Sequence, residues 1–239
     1  MDDHTVAAEA AHLAGRRLLA VRAEGGAAGD RHADEILFEY LRRMRPNDAI
    51  LSEESPDDAA RLEAARVWII DPLDGTREYG EVPRTDWAVH VALAVDHTPV
   101  AGAVALPACD TVLHTGSPPE LPPRPAGPPP RIAVSRSRTS DQVRGIVTAL
   151  SATPVPMGSA GAKAMAVVRG EVDAYVHSGG QYEWDSCAPV AVAASAGLHV
   201  SRLDGSPLRY NRPDPYLPDL VICRPELADR IIGAAHRVG

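Results

Sequence analysis

The sequence is poor in cysteine. Cys109, Cys187 and Cys223 are the only three among 239 residues, and they lie far apart. An odd, scattered set is neither a disulfide framework nor a zinc site, and it reads as free thiols in a reducing compartment. No apolar run approaches the ~20 residues of a membrane span. The start, Met1-Asp2-Asp3-His4, is acidic and lacks the apolar core of a secretory leader, so the expected location is the cytoplasm. Positive charge is also short. The net charge of -8 argues against a non-specific binder of nucleic-acid polymers. It does not exclude a small anionic substrate, because bound cations reverse the field locally. No internal repeat is present, nor a Walker loop, nor a G-x-G-x-x-G after a strand.

What the chain does have is Trp68-Ile69-Ile70-Asp71-Pro72-Leu73-Asp74-Gly75-Thr76-Arg77-Glu78. Val67 to Ile70 read as a short buried strand. The strand is expected to end on Asp71, because Pro72 cannot continue a central strand and Gly75 permits a tight turn. Gly75 and Thr76 are expected to open a helix whose free backbone N–H groups favour an anion. Two carboxylates beside such a nest point to Mg²⁺ shared between the protein and a substrate phosphate. The plain alternative is a surface turn, since Asp and Gly are ordinary turn residues.

Around this stretch, Val6, Ala10, Leu13, Ala14, Leu18 and Val21 recur at helical spacing over residues 5–23. Gly25 to Gly29 reads as a flexible break, followed by a second helix that Pro46 stops. Ala49 to Ser52 reads as a strand and 56–66 as a short helix. Asp86 to Val95 alternates as a strand with one packed face, and Val100–Leu106 and Thr111–His114 continue an antiparallel run. From Ser117 to Pro130 there are eight prolines, a semi-rigid linker. Strands and helices then alternate: strand Ile132–Ser135, helix Ser140–Leu150, strand Val155–Met157, helix Ala160–Arg169, strand Val172–Val176, helix Trp184–Ala196, strands Leu198–Leu203 and Leu220–Cys223, and a closing helix Pro225–His236. The expected organisation is layered α/β packing, with an N-terminal α+β half (1–116), the Pro-rich loop (117–130) and a C-terminal α/β half (131–239).

Further acids stand at element ends. Glu53 follows the strand Ala49–Ser52, Asp30 sits at the Gly-rich break, and Asp185 opens a helix after Gln181-Tyr182-Glu183-Trp184. Each alone reads more readily as a helix cap or a solvated acid than as a ligand; the set together points to a hard divalent cation. A second nest is formed by Gly158-Ser159-Ala160-Gly161-Ala162-Lys163. Its amides and Lys163 suit a phosphate or a sugar hydroxyl. The alternative is close packing of an Ala-rich helix with Lys163 snorkelling to solvent.

Leu51-Ser52-Glu53-Glu54, the stretch from Trp68 to Thr76 and Glu183-Trp184-Asp185, in this order, together resemble the inositol monophosphatase superfamily, whose members are Mg²⁺-dependent, lithium-sensitive phosphatases of small phosphomonoesters. The continuation Arg77-Glu78-Tyr79, Glu183 before Trp184-Asp185, the Gly-Ser stretch ending at Lys163 and the tail Gly205 to Asn211 are similar to the bacterial 3'(2'),5'-bisphosphate nucleotidases of sulfur assimilation, of actinobacterial type. The resemblance implies an αβαβα sandwich, an antiparallel sheet half followed by a mixed-sheet half. It implies two to three Mg²⁺ ions, inhibition by Li⁺, and metal ligands Glu53, Asp71, Asp74, Asp185 and the carbonyl of Leu73. Glu53 also counts among the catalytic residues, with Thr76 and Asp30 orienting and deprotonating the attacking water. Gly75 and Thr76 would hold phosphate oxygens, with Arg77, Ser159, Lys163 and Asp185 also on the substrate. Gly25 to Gly29 departs from the family's first loop, which carries a Lys and a Thr-x-x-Asp. The implied reaction is removal of the 3'-phosphate of 3'-phosphoadenosine 5'-phosphate, leaving AMP. A phosphorylated nucleotide is the expected partner, with no nucleic-acid polymer and no membrane, and a homodimer is a candidate assembly. The rivals are an inositol phosphate or fructose bisphosphate phosphatase, a phosphatase for a modified nucleotide, and a non-catalytic binding module on the same fold.

Overall fold

The computed structural model describes residues 1–124 and 127–238, so Pro125 and Ala126 of the expected Pro-rich linker, and Gly239, lie outside the described residues. Helical spacing builds the first layer. Helix α1 (Asp3–Val21) buries Val6, Ala10, Ala14, Leu18 and Val21, whereas Leu13 is exposed. The Asp2 carboxylate caps α1 by accepting the Thr5 N–H at 2.8 Å. Helix α2 (Gly26–Met44) buries Ala33, Leu37, Tyr40 and Leu41. Its start differs from the sequence reading: only Gly25 breaks the chain, and Gly26 to Gly29 form the first helical turn. The low helix propensity of glycine is overridden by packing, because a Cβ on Gly26 would lie 2.3 Å from Cγ2 of Thr76. Asp30 is therefore inside a helix rather than in a loop.

The first sheet contains β1 (Ala49–Ser52), β2 (Arg66–Asp74), β3 (Ala88–Val95), β4 (Thr98–Leu106) and β5 (Thr111–His114), in that spatial order. It is antiparallel from β2 to β5, but β1 runs parallel to β2. The segment 53–65 is long enough for the crossover that a parallel pair needs. It holds a 3₁₀ turn at Ala59–Glu63 in place of the expected short helix. Strand β3 is buried on both faces, not one. Val89, Val91 and Leu93 pack beneath α1 and α2, while Ala88, Ala92 and Ala94 face the opposite layer. Alanines on the second face are too small to register as a hydrophobic period.

The second sheet contains β6 (Arg131–Ser135), β7 (Thr153–Met157), β8 (Ala174–Tyr182), β9 (His199–Ser201) and β10 (Tyr216–Cys223), in the order β7-β6-β8-β10-β9. β6 is parallel to β7 and β8, and β10 is antiparallel to β8 and β9. β8 runs to Tyr182, past its expected end at Val176, because the antiparallel pairing with β10 resumes at Gln181 and Tyr182. Helices α5 (Ala160–Val168) and α6 (Glu183–Ser195) fill the middle layer against both sheets. Helices α4 (Asp141–Ala149) and α7 (Ala228–Val238) cover the far face of the second sheet. The order of layers is helices, sheet, helices, sheet, helices, the expected αβαβα sandwich. No helix among the described residues is long and apolar enough to cross a membrane.

The parallel strands decide where a ligand can sit. Ligands of α/β sheets bind beyond the carboxyl ends of parallel strands. Here β1 and β2 end at Ser52 and Asp74, and β6, β7 and β8 end at Ser135, Met157 and Tyr182. Residues directly beyond four of these ends, and Asp185 three positions beyond the end of β8, border one cleft.

Candidate active site

The cleft has a volume of about 400 Å³. Of the residues selected from the sequence, Glu53, Asp71, Leu73, Asp74, Gly75, Thr76, Arg77, Ser159, Lys163 and Asp185 all line it, and Asp30 does not. Its centre is acidic: one carboxylate oxygen from each of Asp71, Asp74 and Asp185 lies within 4.8 Å of the others.

A defect in β2 makes this cluster. Along β2, Val67 and Ile69 face the middle layer and Trp68 and Ile70 face α1 and α2. By the two-residue period Asp71 continues the middle face, and Asp74 would fall on the other. The strand does not end at Asp71. It continues to Asp74 through an irregularity at Pro72 and Leu73, with Asp71 opposite His90 and Asp74 opposite Ala88. A bulge tolerates the proline, which has no N–H to give the ladder, and turns Asp74 back to the face of Asp71. Gly75, at φ 90 and ψ 43, then takes the left-handed turn into α3 (Thr76–Gly80). Asp185 enters from the first turn of α6, where its Oδ2 accepts the Tyr182 N–H at 2.7 Å.

The oxygens of the cluster are held unequally. Asp74 Oδ2 accepts the Ser159 hydroxyl at 2.5 Å and the Gly161 N–H at 2.7 Å, with Nε2 of buried His90 at 3.2 Å. Asp71 Oδ1 accepts the Leu73 N–H at 3.0 Å, while Asp71 Oδ2 is buried without a hydrogen-bond partner. A buried carboxylate oxygen without a donor is costly. An orphaned oxygen beside two more carboxylates is the donor set of a hard divalent cation, so the residues present fit a metal.

Electrostatics agree. Burial first, then Glu53, Asp74 and Asp185, hold the Asp71 carboxyl well above its ordinary range. Burial and Asp74 push Asp185 up to about 7. The surrounding walls, then Asp74, Glu54 and Asp30, do the same to Glu53, the exposed member. Burial, Glu54 and Asp34 raise Asp30 to about 7. Asp74 alone is lowered: burial works against its charge, but His90, Lys163 and Ser159 outweigh it. Acids whose folded pKa is raised bind more protons folded than unfolded between about pH 4 and pH 7, so stability falls as pH rises through that window. His177, held down to about 4 by burial, opposes this trend as a single group against several. The metal-free protein is expected to melt higher at about pH 5.5 than at about pH 7.5, and saturating Mg²⁺ should remove most of the difference. Differential scanning fluorimetry with chelator or with Mg²⁺ checks this; a metal-free melting point that rises with pH would contradict it.

The remaining sequence-selected residues are placed as follows. Thr76 Oγ1 donates to the Leu73 carbonyl at 3.2 Å. Asp30 is buried one turn along α2 from Gly26, which packs on Thr76. Lys163, the sole lysine of the sequence, is buried and does not snorkel to solvent. Its Nζ donates to the Ser159 and Gly158 carbonyls at 2.6 and 3.3 Å and lies 5.2 Å from the Tyr175 ring centroid. Ser159 is spent on Asp74 and on capping α5 through the Ala162 N–H.

The sequence reading missed His90 and the loop after β6. His90 was legible as the one ionisable residue in an otherwise apolar strand. Ser135-Arg136-Ser137-Arg138 lines the cleft. Arg136 is occupied, donating to Glu78 at 2.5 Å and to Glu81 at 2.8 Å. Arg138 and Arg77 are exposed and form no ion pair among the described residues.

Comparison with known proteins agrees with this geometry. The family model described as "Inositol monophosphatase family" matches residues 24–119 and 129–239. The chain is similar to a protein named 3'-phosphoadenosine 5'-phosphate phosphatase from Mycobacterium bovis, 53% identical over 236 residues, covering 92% of this chain and 88% of that one. A protein of the same name from Mycobacterium leprae is 49% identical over 265 residues, covering 100% and 95%. Among solved structures, an inositol monophosphatase from Anabaena (Nostoc) superposes with a TM-score of 0.82 at 23% identity, over 99% of this chain and 96% of that one. At that identity the likeness speaks for the fold alone.

Proposed function

The chain belongs to the inositol monophosphatase family, and from that premise we propose that it is a metal-dependent phosphatase of the 3'-phosphate of 3'-phosphoadenosine 5'-phosphate, yielding AMP and phosphate. The single observation that carries the chemistry is the convergence of Asp71, Asp74 and Asp185 on one point, with Asp71 Oδ2 unpartnered. These three, with Glu53 and the Leu73 carbonyl at the edge of the same cleft, would hold Mg²⁺ at two to three positions, with Li⁺ as an inhibitor. When bound, the metal supplies charge stabilisation for the phosphoryl oxygens and a more acidic attacking water.

The chain's own residues do the rest. Gly75 and Thr76 present backbone N–H groups at the start of α3 to the phosphate. Thr76 Oγ1, tied to the Leu73 carbonyl, orients a water at the same corner. Asp30, raised to about 7 and set off the cleft wall, is the base we assign to that water's proton by way of one bridging water, a pKa suited to transfer at neutral pH. The second phosphate of the substrate needs a cation outside the acidic cluster. Lys163 has spent two of its three donors on carbonyls, so we assign that phosphate chiefly to Arg138, with Arg77 as the other unpaired arginine lining the cleft among the described residues. A small phosphorylated nucleotide handled in the cytoplasm is the substrate class that uses both ends of the cleft.

The test is a phosphate-release panel over 3'-phosphoadenosine 5'-phosphate, inositol 1-phosphate and fructose 1,6-bisphosphate, with Mg²⁺ or chelator. Release from the nucleotide should lead and should vanish with chelator. Ca²⁺ should bind but support turnover poorly, because it tolerates looser coordination than octahedral Mg²⁺. Full turnover without metal would overturn the mechanism; preference for inositol 1-phosphate would overturn the substrate.

A further inference from the structure

We propose that His90 is a positioning residue that sets the separation of Asp74 and Asp185 and thereby the affinity of the site for its divalent cation. This rests on the metal reading of the acidic cluster. His90 is fully buried in the middle of β3 and touches three elements at once. Its Nδ1 donates to the Trp184 carbonyl at 3.0 Å, one residue before Asp185. Its Nε2 lies 3.2 Å from Asp74 Oδ2, off the line of a good hydrogen bond, so its hold on Asp74 is steric and, when both ring nitrogens are protonated, electrostatic. Its Nδ1 is also 3.9 Å from Asp71 Oδ2. Helix α5 closes over the ring, because a Cβ on Gly161 would fall 2.1 Å from His90 Nε2.

The consequence is geometric. Asp74 is carried by β2 and Asp185 by α6, elements from different halves of the chain. The imidazole is wedged between Asp74 and the backbone that presents Asp185. Ser159 and Gly161 donate to the same oxygen, Asp74 Oδ2, that His90 Nε2 approaches, so all three groups hold the carboxylate by one side. Groups that orient the ligands of a metal commonly change affinity about ten- to a hundredfold when removed.

The experiment measures Mn²⁺ binding directly, by electron paramagnetic resonance or calorimetry, on wild type, Asp74→Asn, His90→Ala, His90→Phe and His90→Gln. Phe keeps the bulk without a donor, and Gln keeps an N–H. Circular dichroism and metal-free melting establish which variants are folded. The Mn²⁺ dissociation constant should rise about ten- to a hundredfold in folded His90→Ala and His90→Phe and move back toward wild type in His90→Gln. The Mg²⁺ activation constant should rise in parallel, with kcat at saturating Mg²⁺ much less affected. Gly161→Ala forces the ring aside and should reproduce the loss, with no further loss in Gly161→Ala combined with His90→Ala. A folded His90→Phe with wild-type Mn²⁺ affinity overturns the role of His90. Wild type that binds no Mn²⁺, or binds it as well after Asp74→Asn, overturns the metal reading itself.

Discussion

Asp71→Asn is expected to lower phosphate release by about 10³–10⁴-fold, since a metal ligand supports several kcal/mol of transition-state stabilisation, and to raise the melting temperature of the metal-free protein. The two effects share a cause. Asp71 is buried among Glu53, Asp74 and Asp185, and its charge is disfavoured there. The amide removes that charge, keeps an oxygen for the Leu73 N–H, and offers a donor where Asp71 Oδ2 now has no partner. The gain should be a few degrees, as 1 kcal/mol is worth about 2–4 °C in a chain of this size. Asp74→Asn separates function from stability in the other direction. Asp74 is the one acid of the cluster whose charged form is favoured, through His90, Lys163 and Ser159. Its amide should lose activity as severely and also melt lower. An active Asp71→Asn protein would remove Asp71 from the metal site. Melting shifts of the same sign in both variants would show that the unequal holding of the two carboxylates is misread.

The residues that could be read from the sequence are those whose chemistry is local. Pro72 and Gly75 announce a distorted strand end by their own backbone limits, so the placement of Asp71 and Asp74 at an irregular turn was legible. That the strand continued through Pro72 was not, because a bulge is decided by the partner strand, here His90 and Ala88. Helices with a clear apolar stripe, such as α1 and α7, were legible for the same reason. The parallel pairing of β1 with β2 was not, because the connection carries only a 3₁₀ turn and nothing in it advertises a crossover. The start of α2 depended on Gly26 meeting Thr76, a contact fifty residues away along the chain. Lys163 shows the same limit within the site. Its proximity to a phosphate-like nest could be seen, but not that its ammonium turns back onto the carbonyls of that nest. Arg138, which like Arg77 forms no ion pair among the described residues, follows a strand end whose position beside the acids only the packing of the two sheets determines.

Arg138→Ala is therefore expected to weaken catalysis on the bisphosphate nucleotide far more than on a substrate with one phosphate. A hydrogen bond to a charged group is worth ~1.5–3 kcal/mol, or roughly ten- to a hundred-and-fifty-fold in kcat/KM. The loss should fall mainly on KM if Arg138 grips the remote phosphate equally in ground and transition states. Arg136→Ala should behave differently, because Arg136 is bound to Glu78 and Glu81. Its removal leaves buried Glu78 unpaired, which costs stability on every substrate alike. Lys163→Ala belongs with Arg136→Ala. It frees two carbonyls at the head of α5 and removes a positive charge that favours ionised Asp74, so activity should fall on both substrates and melting should drop. Steady-state kinetics of the three variants on 3'-phosphoadenosine 5'-phosphate and inositol 1-phosphate distinguish these roles. Equal losses on the two substrates in Arg138→Ala would remove it from the second-phosphate site. A selective loss in Lys163→Ala would mean that its third donor, rather than Arg138, meets the second phosphate.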